Sequence, residues 1–230
     1  MALAFQKQLD EKTAFAVWKI EESAEDLYSR LQLNSEEKAY FEGLNNGKRN
    51  LHWLSTRVLL REMLNTGDYI DCRVDEHGKP YLVNFPHQIS LSHSFDYAAV
   101  MISEDKPVGI DIELVKEKIV RIEDKFLTPA ELQFIDPSNR IMHLYVCWCA
   151  KEAIYKLQGK RTVSFKDHIH LQPFSFAMEG EFYAVLEADQ VCKQFVVKYE
   201  SFHDYMIGYV SGCQEMKDPL LQDAFMKQND

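Results

Sequence analysis

The chain has 230 residues, 46% of them hydrophobic and 27% charged, which suits one large domain or two of ordinary size in a globular protein. Its formal net charge of −10, from 36 acidic and 26 basic residues, argues against wholesale nucleic-acid binding, which normally needs a basic excess. The segment from Met1 to Lys12 has no long apolar core and reaches acids at once, so no signal peptide is expected. No run approaches the roughly 18–20 apolar residues that span a bilayer.

In chain order, Phe15 to Ile20 reads as a first strand. From Ser35 to Leu64 the pattern is helical. Ser35 stands as the cap of an imperfect capping box, because Lys38 occupies the place of the usual acid. Gly43 and Gly47 split this stretch, and a second helix runs from about Lys48 to Asn65. Asp75 to Gly78 is a tight turn into the strand-like Lys79–Val83, which Pro86 ends. Tyr97 to Ser103 is a strand, Glu104 to Pro107 a turn, and Val108 to Leu114 the expected hairpin partner. Thr128, Pro129 and Glu131 together mark a helix start. A further helix opens after Pro137, capped by Ser138 or Asn139, and runs to Gln158, with Gly159 as its stop. It is apolar on most sides, so it should be largely buried, with Trp148 as a packing anchor. His168–Phe174, Glu181–Glu187, Gln194–Glu200 and Tyr205–Val210 read as four antiparallel strands, and a ragged tail follows from Lys217. Helix then strands, twice, with a change-over near Glu104–Pro107, is the layout of an α+β protein of two similar halves, although no residue-level repeat is visible. The five cysteines (Cys72, Cys147, Cys149, Cys192 and Cys213) are odd in number and scattered, as expected of reduced cytosolic thiols.

Chemistry concentrates in two segments. Side chains alternate along a strand, so Asp111 and Glu113 leave it on one face. Glu152 and Lys156 are four apart in a stretch free of Pro and Gly from Ile141 to Gln158, and share a helix face. Two carboxylates from a strand, joined by one from a helix with lysines beside it, make a site for a hard divalent cation carrying phosphates. Solvated acids on an edge strand and a plain i,i+4 ion pair are the simpler readings; such a pair is worth only about 0.3–0.5 kcal/mol when exposed. Burying one in so apolar a helix without a further use is costly. The histidines other than His93 (His52, His77, His87, His143, His168, His170 and His203) show no metal-site spacing.

Gly109-Ile110-Asp111-Ile112-Glu113 and Trp148-x-x-Lys151-Glu152-Ala153-x-x-Lys156 resemble the paired signatures of the 4′-phosphopantetheinyl transferases, specifically the long, two-lobed class similar to the surfactin-type enzyme. Gly78-Lys79-Pro80 and Ser90-Leu91-Ser92-His93 match two further elements of that class, in the same order. The resemblance implies a pseudo-dimer of two helix-plus-antiparallel-sheet lobes with the active site in the cleft between them. Residues 1–105 would contact the coenzyme A nucleotide, 106–216 would carry the magnesium and catalytic motifs, and 217–230 would be a tail. It implies transfer of the phosphopantetheine arm of coenzyme A to a serine of an apo acyl, peptidyl or aryl carrier protein, with release of 3′,5′-ADP. Fatty-acid, polyketide and non-ribosomal peptide carriers all share that acceptor chemistry.

By the same resemblance, Asp111, Glu113 and Glu152 are the Mg2+ ligands, and Glu152, directly or through a water, takes the serine proton. Lys156 and Lys151 stabilise charge on the pyrophosphate, which Asp111 also helps to hold. Ser92 and His93 meet the coenzyme A phosphates, and Lys79 and Pro80 the nucleotide end. Lys48, Arg49, Arg57 and Arg61 compete for the remaining nucleotide contacts, with Arg49 and Arg57 favoured. Glu131 matches an acid of the family's helix, but its capping box already explains it, and it is left outside the site. A cytoplasmic monomer without nucleic-acid or membrane partners is expected. The rival reading is a magnesium-dependent phosphohydrolase or nuclease, which also uses clustered carboxylates and a lysine but leaves Ser92-His93 and Gly78-Lys79-Pro80 unexplained. A carrier-binding module without activity is a third, and the intact acids argue against it.

Overall fold

The computed structural model describes residues 3–44, 47–188 and 191–216, and the chain divides into two units between Lys106 and Pro107. The first unit opens on a hairpin, not on a helix: β1 (Leu3–Asp10) pairs with β2 (Thr13–Lys19). Sequence reading found only the second of these strands. β1 is an edge strand that alternates between exposed and half-buried residues, so it carries little apolar signal. Three helices follow, α1 (Ala24–Ser29), α2 (Ser35–Gly43) and α3 (Lys48–Leu64). The capping box of α2 is framed one residue earlier than expected, by Asn34 and Glu37, which supplies the acid that Lys38 could not. A short ribbon of β3 (Cys72–Val74) and β4 (Pro80–Leu82) leads to β5 (Gln88–Ser94) and β6 (Tyr97–Ser103). The main sheet of this unit is antiparallel, in the order β1-β2-β6-β5, and α3 packs on β6, β2 and β5. Leu54, Val58 and Leu59 of the helix meet Ala16, Trp18, Ala98 and Val100 of the sheet in one core.

The second unit begins with β7 (Val108–Leu114), then α4 (Glu123–Phe126), α5 (Pro129–Gln133) and the long α6 (Arg140–Gln158). After α7 (Phe165–His168) come β8 (Ile169–Leu171), β9 (Glu179–Ala188), β10 (Val191–Phe202), β11 (Tyr205–Ser211) and β12 (Gln214–Glu215). The sheet runs β7-β11-β10-β9-β8, with β12 also pairing β10, and α6 lies on β7, β11 and β10. Each unit is thus one long helix on an antiparallel sheet, an α+β fold.

The hairpin expected between Tyr97–Ser103 and Val108–Leu114 does not form. β6 already has β2 and β5 on its two edges, and β7 pairs instead with β11, Asp111 opposite Gly208. The strand expected from His168 begins one residue later, because Ser164 caps a helical turn through the backbone N–H of Asp167. The tail expected from Lys217 lies outside the described residues. The five cysteines are free thiols. Among the described residues no helix is long and apolar enough to cross a membrane.

Two glycines let α6 settle on the sheet. A methyl group at Gly109 would overlap the carbonyl oxygen of Ala153, and one at Gly208 would sit 2.8 Å from Cys149 Cβ. The obstacle at Gly109 is backbone, so the helix itself would have to move. Gly109→Ala should therefore cost about 3 kcal/mol and misplace the helix over β7. Thermal melts give the stability, and a variant as stable as the parent would show that the helix has room to spare.

Candidate active site

Asp111 and Glu113 share with Gly109 the face of β7 that lies under α6. Close approach of the helix brings Lys156 Nζ to 2.7 Å from Asp111 Oδ1, and the same ammonium donates to the carbonyl of Ile110 at 3.1 Å. Asp111 is buried, at 4% exposure, while the Lys156 side chain keeps 26%. Burial pushes the Glu152 carboxyl up to about 7; Asp111 and Glu113 push the same way, and Lys156 opposes them. Burial works against the charged form of Lys156 too, but Asp111 and Glu152 outweigh it and raise that pKa. Three acids and one lysine therefore form a single electrostatic group on unit two.

Lys151 is not part of it, which corrects the expectation of a catalytic role beside Glu152. Adjacent residues on a helix point about 100° apart, and Lys151 turns into the core. There it donates to Glu131 at 2.8 Å and to the carbonyls of Phe126 (2.8 Å) and Phe165 (3.0 Å). Three acceptors use up its three hydrogens. Glu131 is more than a helix cap: beyond the N–H of Thr128 it accepts the N–H of Leu171, tying α5, α6 and β8 together.

In unit one, a cavity of about 820 Å³ gathers four of the expected residues, Arg49, Arg57, Pro80 and His93, along with Gly78. Arg49, Trp53, Thr56 and Arg57 reach it from one face of α3. The Arg57 guanidinium lies 3.7 Å from the Trp53 ring centroid, an i,i+4 cation–π contact, and its buried Nε makes no hydrogen bond among the described residues. Burial pulls its pKa down from the ordinary arginine range. Arg73, also on the lining, is committed to Asp71 by two hydrogen bonds of 2.9 and 2.8 Å. Glu37 is committed to Asn34 and Tyr69. Arg49 and Arg57 are thus the cations this cavity offers an anion.

Ser92 and Lys79 do not line the cavity. Strand alternation places Leu91 and His93 on its side and leaves Ser90, Ser92 and Ser94 buried on the other, so the expected Ser92–His93 pair is divided between two faces. The Lys79 backbone N–H is held by Asp75 Oδ1 in the turn before β4.

The residues of this second unit coincide with a known family: 107–210 match the model of the 4′-phosphopantetheinyl transferase superfamily. The likeness to that superfamily is carried by the second unit. It is similar to a 4′-phosphopantetheinyl transferase of Bacillus subtilis, 28% identical over 154 residues, covering 64% of this chain and 65% of the relative. The 4′-phosphopantetheinyl transferase AcpT of Salmonella typhi is 30% identical over 119 residues, 49% of this chain and 61% of the relative. The 4′-phosphopantetheinyl transferase gsp of Aneurinibacillus migulanus is 33% identical over 111 residues, 46% of each chain. In each case the chain spans less than two thirds of the relative's length.

The superfamily brings a divalent cation into question, and the donor set fits one. Asp111, Glu113 and Glu152 offer carboxylate oxygens, the ligands of Mg2+, and the repulsion that raises Glu152 is what such a cation relieves. Among the described residues no three carboxylate, histidine or cysteine side chains already stand as a ligand cage. Sequence reading missed the Trp53–Arg57 stack, whose i,i+4 spacing was the available signal. It also missed Gly208, which only the pairing of β11 with β7 sets opposite Asp111.

Proposed function

We propose that the protein is a 4′-phosphopantetheinyl transferase of the long, two-lobed class and of holo-acyl-carrier-protein synthase type, acting as a monomer. It moves the phosphopantetheine arm of coenzyme A onto a serine hydroxyl of an apo acyl, peptidyl or aryl carrier protein and releases 3′,5′-ADP. The observation that carries this reading is the grouping of Asp111, Glu113 and Glu152 with Lys156, whose ammonium lies 2.7 Å from Asp111 Oδ1.

In the reaction the serine oxygen forms a bond to the phosphorus that carries the pantetheine arm. The bond from that phosphorus to the bridging oxygen breaks, and the oxygen leaves with 3′,5′-ADP. Glu152 accepts the serine proton. Lys156, held by Asp111, faces the negative charge that grows on the departing oxygen. Asp111, Glu113 and Glu152 would hold Mg2+, which when bound supplies countercharge to the pyrophosphate. The N-terminal unit contributes Arg49, Arg57, Pro80 and His93 to the coenzyme A nucleotide and its phosphates. A phosphohydrolase built on the same acids would leave those four without a role.

Intact-mass spectrometry of apo-carrier proteins incubated with the enzyme, coenzyme A and Mg2+ should show the gain of one phosphopantetheine unit, with 3′,5′-ADP appearing alongside. No modification across fatty-acid, polyketide and non-ribosomal peptide carriers would sink the reading.

A further inference from the structure

Beside the cavity of unit one, two imidazoles lie face to face. His52 of α3 and His93 of β5 have ring centroids 4.2 Å apart and planes 16° from parallel. Only His93 lines the cavity. His52 is fixed at its far edge, because its Nε2–H donates to the carbonyl of Phe95 at 2.8 Å. That bond sets which nitrogen carries the proton, and the ring cannot turn over without losing it. Phe95 sits in the turn between β5 and β6 at φ +51°, a left-handed conformation that non-glycine residues seldom adopt. A second contact from the same end of α3 steadies this turn: Lys48 Nζ lies 3.5 Å from Asp96 and 5.0 Å from the Phe95 ring centroid. The start of α3 therefore fastens the turn that ends the His93 strand, and stacks a fixed plane against the His93 ring.

We propose that His52 is a positioning residue, which orients the His93 imidazole toward the phosphate-bearing end of the ligand and does not touch that ligand itself. The inference rests on the coenzyme A reading of the cavity. A histidine that only packed the helix onto the strand would change stability without changing affinity. One that orients His93 changes affinity only while His93 is present.

The test is a double-mutant cycle on the full chain, read by calorimetric binding of coenzyme A and by steady-state kinetics. His52→Ala should weaken binding about tenfold and raise KM for coenzyme A to match, leaving kcat within about twofold, because the reacting atoms are elsewhere. In a His93→Ala background the same change should cost less than about twofold. His52→Phe, which keeps a ring but not the bond to Phe95, should fall between parent and His52→Ala, and serves as the folded control should the alanine variant melt early. Equal losses with and without His93, no loss at all, or a fall in kcat at constant KM would each overturn the inference. A parent protein that does not bind coenzyme A overturns the reading beneath it as well, and that outcome is visible before any variant is made.

Discussion

Glu131→Gln should lower folding stability by about 3–5 kcal/mol, the cost of leaving a buried charge without its partner. Glu131 is 3% exposed and Lys151 is fully buried. Both carboxylate oxygens lie 2.8 Å from the Lys151 ammonium, and they also accept the N–H groups of Thr128 and Leu171. A glutamine offers one acceptor and one amide where three donors converge, so at least one donor is left facing another. Burial already pulls the Lys151 pKa down, and Glu131 holds it up. Without the carboxylate, Lys151 must shed its proton or stay charged and unpaired. Removing both partners is different in kind. Glu131→Gln with Lys151→Met should recover about half of the loss, because a buried pair replaced by well-packed apolar groups is often close to neutral. Denaturant melts of the parent and the two variants decide it, with turnover per folded molecule expected to hold in Glu131→Gln. A Glu131→Gln protein as stable as the parent would mean that Lys151 is satisfied by the Phe126 and Phe165 carbonyls alone.

The same cluster shows what a sequence hides. Lys151 and Glu152 are neighbours in a motif, and reading the motif as one unit placed both in the chemistry. The helix turns them to different sides, one to the Asp111 group and the other into the core. Ser92 and His93 are divided in the same way by strand alternation. Local pattern was enough for α3, α6 and the strand bearing Asp111 and Glu113, since apolar spacing and helix stops are carried by near neighbours. Pairing was not local. The Glu104–Pro107 turn looks like a hairpin turn, but β7 finds its partner in β11, nearly a hundred residues on. β1 was missed because an exposed edge strand need not be apolar. That Asp111, Glu113 and Glu152 come together was legible from strand and helix spacing; the glycines that let the helix reach them took their meaning from the packing.

Glu152→Gln should remove activity and stabilise the metal-free protein at once. The Glu152 carboxyl stands at about 7 in the folded chain against an ordinary 4.5, through burial and the nearby Asp111 and Glu113. Between those values the folded state holds a proton that the unfolded state has released. The stability tied to that proton is complete below about pH 4.5 and is lost as pH rises to about 7. Above pH 7 the ionised carboxylate is a burden on the fold, on the order of 1–3 kcal/mol. Glutamine keeps the shape and carries no charge, so the variant should gain that amount at pH 8 and show a flatter stability profile between pH 4.5 and 7. Mg2+ should raise the melting temperature of the parent at pH 8 and do less for the variant, since the repulsion it relieves has gone. Turnover should fall by about 10²–10⁴, the usual contribution of a positioned general base. Coenzyme A affinity should change far less, because the lost interaction belongs to the transition state. Melts across pH with and without Mg2+, beside steady-state kinetics, separate the alternatives. A variant less stable than the parent at pH 8 would mean that Glu152 is held ionised by Lys156 and is no strained base, and the proton-accepting role would then pass to another group.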